Sequence, residues 1–409
     1  MRLLHTSDWH LGRETYRVSR RSDHEAVIDE IVETARAVHP HLIIHSGDLF
    51  DGPRPAYDDL SLGVTALQRL GAVAPVVVVC GNHDSPPLYR LFTQLLGPEA
   101  PIRFVDVARL PEAGGILEFP GDGEERVRLA TLPFIHANRL VTGFEDPTLR
   151  TALYADRVAA IEQRLATGLT AGYDAGRDVL LFAAHLYVGG ATYGRSERSL
   201  HVSEAYASRA EALPAVSYGA LGHIHKPQAL PGGAPARYAG SPIQLDFGEE
   251  GEEKTVVVVD AEPGRPAAIE PRPLRAGRPL LRIAGSIEEI PSHAASAAGK
   301  LVHVTVRSED PVPDVSDQVA DLLPGAVILE VAEDVASRRL AVVTEAGGAG
   351  AAEPSMDELF EGYLGLVGTR SGSAAAVLES FRSVLESVET DEPPVLPGQE
   401  ALEPLEGGA

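Results

Sequence analysis

Five short apolar runs in the first 225 residues are each followed closely by a polar group built from Asp, Asn and His. Leu3-Leu4-His5-Thr6 leads into Asp8-Trp9-His10, and Leu42-Ile43-Ile44-His45 into Gly47-Asp48-Leu49-Phe50-Asp51. Val76-Val77-Val78-Val79 leads into Gly81-Asn82-His83-Asp84, Val179-Leu180-Leu181-Phe182 into His185, and Val216-Ser217-Tyr218-Gly219-Ala220 into Gly222-His223-Ile224-His225. Continuous apolar runs of this length suit strands buried on both faces. Helical spacing from Ala26 to Ala35 and from Leu60 to Leu70 separates the first three. Strand, helix, strand order indicates an α/β domain with parallel strands. The carboxyl ends of such strands share one rim, where ligands bind. The pattern therefore predicts that Asp8, His10, Asp48, Asn82, His185, His223 and His225 meet, with His83 beside them.

That set is the donor chemistry of a two-metal centre. Imidazole and carboxylate suit Mn, Fe or Zn. The i, i+2 spacing of Asp8 with His10, and of His223 with His225, points both side chains of each pair the same way in extended chain. The glycines before Asp48, Asn82 and His223 permit tight turns where backbone passes close to another group. Two divalent ions about 3.5–4 Å apart generate a nucleophile and clamp a phosphate. Their charge outweighs Asp8, Asp48 and one hydroxide, so the centre attracts an anion even in a chain of net charge −24. Each piece alone has a blander reading: a lone Asp-x-His is common, and one His at a strand end is usually structural. All five in order leave little room for coincidence.

Taken together, Asp-x-His, Gly-Asp, Gly-Asn-His-Asp, His and Gly-His-x-His resemble the calcineurin-like metallophosphoesterases. More narrowly, His5-Thr6-Ser7-Asp8-Trp9-His10-Leu11-Gly12, Ser46-Gly47-Asp48-Leu49-Phe50-Asp51 and Gly81-Asn82-His83-Asp84-Ser85 resemble the SbcD family of DNA repair nuclease subunits. The resemblance implies a β-sandwich flanked by helices, a smaller α+β capping domain that helps hold DNA, and a C-terminal helical hairpin. It implies two divalent ions, usually manganese, with Asp8, His10 and His225 on one, Asn82, His185 and His223 on the other, and Asp48 bridging. His83 would contact the scissile phosphate and help the leaving oxygen depart, with Asp84 orienting its ring; the blander reading of His83 is an eighth ligand or a brace. Asp51 cannot make a cationic phosphate contact and receives no catalytic role. The implied activities are double-strand 3′-to-5′ exonuclease and hairpin or end-processing endonuclease. The implied partners are DNA ends and hairpins, an SbcC-type coiled-coil ATPase, and a second copy within a heterotetramer. Leu60, Leu67, Leu88, Leu91, Phe92 and Leu95 are candidates for the seam between copies, although ordinary core burial is the plainer reading of any one of them. A phosphodiesterase or phosphatase on a smaller substrate, and a non-catalytic DNA-end scaffold, are the competing readings.

With Lys plus Arg at 35 and Asp plus Glu at 59, bulk charge alone does not hold nucleic acid. Local positive charge falls to Arg13, Arg17, Arg20, Arg21 and Arg54, with Arg195, Arg198 and Lys226 also flanking the metal motifs. A solvated surface arginine is an equally good reading of any one of them. Composition places residues 1–262 in the first domain, 276–345 in the small α+β segment, 355–389 in the helical pair and 390–409 in an acidic, disordered tail. Pro263 to Pro279 reads as a linker, and the Gly/Ala-rich stretch Thr344 to Pro354 as a flexible tether. The one cysteine, Cys80, excludes a disulfide framework within the chain and a thiolate metal site. No secretory signal or membrane-length apolar run is evident, so a cytoplasmic, nucleoid-associated protein is expected.

Overall fold

A computed structural model describes residues 1–121, 123–136, 147–192, 208, 213–230, 235–336, 355–366 and 371–390. The stretch read as a tether, the acidic tail past residue 390, Arg195 and Arg198 lie outside them. The chain divides into two units, Met1–Thr305 with Asp314–Ala332, and Val306–Pro313 with Glu333–Ala409.

The first unit is built on two six-stranded sheets. One runs in the order Ala268–Pro273, Thr255–Asp260, Arg2–Thr6, Leu42–His45, Val76–Val79, Ile102–Val105. The other runs Gln228–Ala229, Ala236–Tyr238, Tyr218–Gly222, Asp178–His185, Arg126–Leu132, Ile116–Pro120. The five motif strands thus divide between two sheets, three in the first and two in the second, parallel to their neighbours within each group.

Alternation along each strand sets the layers, because successive side chains take opposite faces. Leu3, Leu42, Ile44, Val77 and Val79 meet Val127, Leu129, Val179, Leu181 and Ala183 of the second sheet. The intervening Leu4, Ile43, Val76 and Val78 face Val27, Ile28, Ile31 and Val32 of the helix Arg21–Val38 and Ala66, Leu67 and Leu70 of the helix Tyr57–Gly71. Ala130, Leu132, Phe182 and Ala184, on the far face of the second sheet, pack against Tyr154, Val158, Leu165 and Leu169 of the helix Pro147–Thr170. The result is a helix–sheet–sheet–helix sandwich. Each fully buried Val, Leu or Ile contributes roughly 1.5–3 kcal/mol, so the central strands, buried on both faces, dominate its stability.

The proline-rich stretch read as a linker is a strand for six of its residues. Ala268–Pro273 pairs antiparallel with Thr255–Asp260, Pro271 opposite Val257 and Pro273 opposite Thr255. It is an edge strand, where a missing N–H faces outward and costs no ladder bond. The chain beyond is fastened too. Glu30 accepts from the Arg275 and Ala276 amides, and Asp23 accepts from the Arg278 amide and guanidinium.

Arg20 explains that anchorage and leaves the set of DNA-contact candidates. Its side chain is wholly buried. It donates to Asp23 at 2.7 Å, to the Gln244 carbonyl at 2.7 Å, to Thr15 at 3.2 Å and to the Arg278 carbonyl at 3.0 Å. Four partners for one guanidinium make it a structural rivet, and none of its surface reaches a duplex. The rings of Tyr16, Phe247 and His303 meet edge to face, with Arg282 stacked over Phe247. Leu280–Gly285, Leu301–Ser308 and Val327–Val335 form a third, three-stranded sheet in that order.

The second unit contains the helices Met356–Leu366 and Ser371–Thr390. Ser355 and Glu358 close a reciprocal cap, Glu358 N–H donating to Ser355 Oγ at 3.2 Å and Ser355 N–H to Glu358 Oε2 at 2.8 Å. The Phe360 and Phe381 rings stack at 3.9 Å, and Arg382 pairs with Asp357. The helices therefore pack on each other, yet Met356, Leu359, Tyr363, Val377 and Val384 stay 40–57% exposed.

Arg20→Ala strips a buried carboxylate and two carbonyls of a donor. It is expected to cost about 3 kcal/mol in urea unfolding and to leave any affinity for duplex DNA unchanged; weakened DNA binding at unchanged stability would return Arg20 to the DNA surface.

Candidate metal centre

The strand ends deliver the motif side chains to one buried cluster. Ligand atoms of Asp8, His10 and His225 lie within 4.8 Å of one another, as do those of His10, Asp48 and His83, and those of Asp48, His185 and His223. Asn82 Oδ1 lies 2.8 Å from both His185 Nε2 and His223 Nδ1. All seven expected ligands and His83 therefore come together. Asp48 is central, with Oδ2 3.6 Å from His10 Nε2 and 3.3 Å from His185 Nε2, and Oδ1 accepting the His83 amide at 2.8 Å.

Local backbone makes this convergence possible. Asp8, His10, Asp48 and His223 all have positive φ, at 52°, 49°, 54° and 100°. Non-glycine residues adopt that region at a cost that the surrounding structure must offset. The loops hold one another: the Asp8 and His10 amides donate to the Gly47 and Asp48 carbonyls, and the His223 amide donates to Asp8 Oδ1 at 3.0 Å. That last bond ties the first sheet's loop to the second sheet's. The glycines serve the same contact. A Cβ on Gly81 would stand 2.1 Å from Asp48 Oδ1, one on Gly47 2.1 Å from the His185 ring, and one on Gly222 2.2 Å from the Ser46 carbonyl. The close neighbour is in each case another loop of the cluster.

The histidines are oriented from behind. His10 Nδ1 donates to Asp51 Oδ1 at 3.2 Å, His225 Nδ1 to Glu249 Oε1 at 3.1 Å, and His185 Nδ1 to the Ser46 carbonyl at 2.9 Å. Such partners fix the tautomer and leave Nε2 for a metal. His10 Nε2 and His225 Nε2 then point their lone pairs at each other across 3.1 Å, a repulsion that a cation relieves. Asp8 Oδ2, buried in the same group, has no hydrogen-bond partner among the described residues. Converging lone pairs and an orphaned carboxylate oxygen fit a divalent ion.

Charge follows the same logic. Burial pushes Asp8 up to about 6, despite His185 and His225. Burial opposes ionisation of Asp48 as well, but His185 and His83 outweigh it and hold the group well below its ordinary value. Burial lowers His185, and the Asp48 and Asp8 carboxylates more than reverse this, lifting it to about 9. The cluster thus retains protons where cations would sit.

Two expectations change. The Asp84 carboxylate does not turn the His83 ring: it accepts the Leu49, Phe50 and Gly81 amides and the Tyr89 hydroxyl. The Asp51 carbonyl orients His83 instead, accepting from Nδ1 at 2.7 Å. Asp84 braces the loops that carry Asp48 and Asn82, which makes it a positioning group. Sequence reasoning missed Glu249, 1% exposed and in contact with His225 and Lys254. Its only signal was membership of the acidic run Glu249 to Glu253 that precedes Lys254, and nothing in that run singles it out. Among the arginines, Arg13 lies 3.5 Å from Asp51, Arg21 pairs with Glu25 and Asp58, and Arg17 and Arg54 are exposed without an ion pair among the described residues.

This fold and cluster define a dimetal hydrolase, and similarity to known proteins points the same way. Residues 1–227, which include every ligand candidate, match the calcineurin-like phosphoesterase family, and residues 276–366 match the family described as type 5 capsule protein repressor C-terminal domain. The chain is 33% identical over 292 residues to the SbcD subunit of the SbcCD nuclease of Bacillus subtilis, covering 69% of this chain and 72% of that one. It is 31% identical over 296 residues to the Escherichia coli protein of the same name, covering 71% and 72%. A solved dimetal phosphatase from Danio rerio is a distant likeness, at 13% identity and TM-score 0.39 over 68% of this chain and 97% of that one. The chain belongs to the calcineurin-like phosphoesterases and, within them, to the SbcD nuclease-subunit family.

Gly81→Ala forces Asp48 aside and is expected to lower stability by about 1–3 kcal/mol in urea unfolding. Gly52→Ala, with nothing within 4 Å of its added Cβ, is the control expected to leave stability unchanged.

Proposed function

We propose that this chain is the manganese-dependent nuclease subunit of an SbcCD-type complex, degrading double-stranded ends 3′ to 5′ and opening hairpins or blocked ends in DNA repair and recombination. The observation that carries the proposal is the convergence of seven buried ligand side chains and the half-buried His83 in one cluster fed by five strand ends. Asp8, His10 and His225 would hold one ion and Asn82, His185 and His223 the other, with Asp48 shared by both groups. When bound, two divalent ions would supply an activated water and a clamp for the phosphate. His83, fixed through Nδ1, stabilises the leaving oxygen through Nε2. Asp84 keeps the Asp48 and Asn82 loops in register.

Duplex phosphates are met by arginine rather than by net charge. Arg17 and Arg54 are the strongest candidates because no acid competes for them, whereas Arg13 and Arg21 must share theirs. Phosphate contacts of this kind position a duplex without reading sequence. The exposed apolar face of the C-terminal helices suits docking on an SbcC-type ATPase. For a second copy, Leu91, Leu95 and Leu96 of the helix Pro86–Leu96 are 39–73% exposed, while Leu67 is core. Leu60, Leu88 and Phe92 are partly buried against that core. No helix among the described residues is long and apolar enough to cross a membrane.

In manganese, the chain is expected to release nucleotides from end-labelled duplex DNA, and Asp48→Ala to abolish this. His83→Ala is expected to keep manganese and DNA affinity while losing about a hundredfold or more in rate. Turnover of small phosphoesters without DNA cleavage, even with the ATPase and ATP present, would favour a phosphatase; DNA binding without any hydrolysis would favour a scaffold.

Manganese uptake should depend on pH with a defined sign. Ligands bind deprotonated, Asp8 holds its proton up to about 6 and His185 up to about 9. Affinity is therefore expected to rise with pH across that interval and to fall away below it. Calorimetric titration at several pH values checks this; an affinity flat across the interval would contradict it.

A further inference from the structure

Strand alternation puts a polar side chain where the sandwich would take an apolar one. Leu3 faces the second sheet, and His5, two residues on, turns the same way. It is wholly buried between the sheets, with Ile44 and Val257 opposite it on the neighbouring strands. His5 Nδ1 lies 2.8 Å from the hydroxyl of Tyr218 in the second sheet, and Nε2 lies 2.8 Å from Ser46 Oγ on the loop that leads to Asp48. Burial lowers this imidazole to about 3, and His45 and Arg237 push it the same way, so the ring is neutral. A neutral ring donates through one nitrogen and accepts through the other. The phenol is the stronger donor of the two hydroxyls, so Tyr218 donates to Nδ1, and Nε2 donates to Ser46.

Ser46 passes the contact on. Its amide donates to the Thr6 carbonyl at 3.1 Å, and its own carbonyl accepts from His185 Nδ1 at 2.9 Å. Tyr218 and His185 lie on paired parallel strands, Tyr218 opposite Leu181 and Gly222 opposite His185. The hydrogen bonds therefore run from the second sheet to the first at His5, on to Ser46, and back to the second sheet at His185. The imidazole that closes this circuit meets the first sheet's Asp48, its Nε2 3.3 Å from Asp48 Oδ2. Stability alone does not demand such a chain, because apolar replacement of a buried polar set is often neutral. Hydrogen bonds add direction and a defined length, and a metal site needs its ligands held to within about 0.5 Å.

Resting on the dimetal reading above, we propose that His5, held by Tyr218, is a positioning residue for His185. Through Ser46 it sets the spacing between the second sheet's imidazole and the first sheet's Asp48, and with it the capacity of the cluster to hold two ions as a coupled pair.

The test is titration of the metal-free full chain with manganese chloride by calorimetry, with the paramagnetic resonance signal of coupled manganese pairs as a second readout. His5→Leu removes both hydrogen bonds and fills the space with apolar volume. It is expected to weaken manganese binding about tenfold and to delay the coupled-pair signal to higher manganese. His5→Gln, whose side-chain amide can donate to Ser46 in place of Nε2, is expected to recover most of that loss. Tyr218→Phe removes one hydroxyl, gives a smaller loss in the same readouts and serves if His5→Leu does not fold. Val257→Ala, opposite His5 in the same layer, is expected to lower the melting temperature without weakening manganese uptake. Unaltered manganese affinity in folded His5→Leu and Tyr218→Phe, no recovery in His5→Gln, or an equal loss in Val257→Ala would overturn the proposal and leave His5 a stability residue. Wild-type protein that takes up no manganese would instead overturn the dimetal reading itself.

Discussion

A carboxylate placed among imidazoles, out of water, is the interaction on which the rest of this structure depends. Isolated, a buried Asp48 would be expelled or protonated. It stays ionised because His185, His83 and His10 surround it, and the cluster's histidines arrive on four separate loops. Holding them there demands backbone in the left-handed region at several ligands and glycines whose missing Cβ is another loop's space. The sandwich supplies the rigidity to offset that cost. Strand ends backed by Val and Leu layers on both faces cannot drift, so loops only a few residues long inherit their precision.

Much of this was legible in the sequence, and for a definite reason. An apolar run followed by Asp, Asn or His is a local signal that needs no knowledge of the partner strand, so the motif strands and the residues gathered in the cluster could be read directly. What depended on long-range pairing could not. The strand ends do share one rim, but nothing within a strand states which of the two stacked sheets it joins, and the sandwich itself was an expectation of the family resemblance. Ala268–Pro273 looked like a linker because proline is excluded from strand interiors, and edge position is invisible to composition. Arg20 looked like a DNA contact because its neighbours in sequence are arginines; its partners Gln244 and Arg278 lie more than two hundred residues away. Glu249 was missed for a nearer reason: His225 stands only 24 residues away, but nothing local marks which of the neighbouring acids turns toward it.

The supports of the cluster form a hierarchy. Closest are the groups expected to ligate. Behind them stand carboxylates and carbonyls that choose each imidazole's tautomer, and behind those the cations and hydroxyls that keep the carboxylates charged. Lys254, buried with Glu249, has its use here, where a lysine on an acidic surface would contribute little. Asp84 and Tyr89 play the corresponding part beneath the Asp48 loop.

The contact between Asp8 Oδ1 and the His223 amide joins groups 215 residues apart in the chain. Loop closure over such a distance makes the centre a late product of folding rather than a nucleus for it. During synthesis the first sheet's Asp8, His10, Asp48, Asn82 and His83 leave the ribosome well before the strand Tyr218–Gly222 exists. A nascent chain therefore carries half a centre, and the cluster is complete only once the second sheet has stacked upon the first.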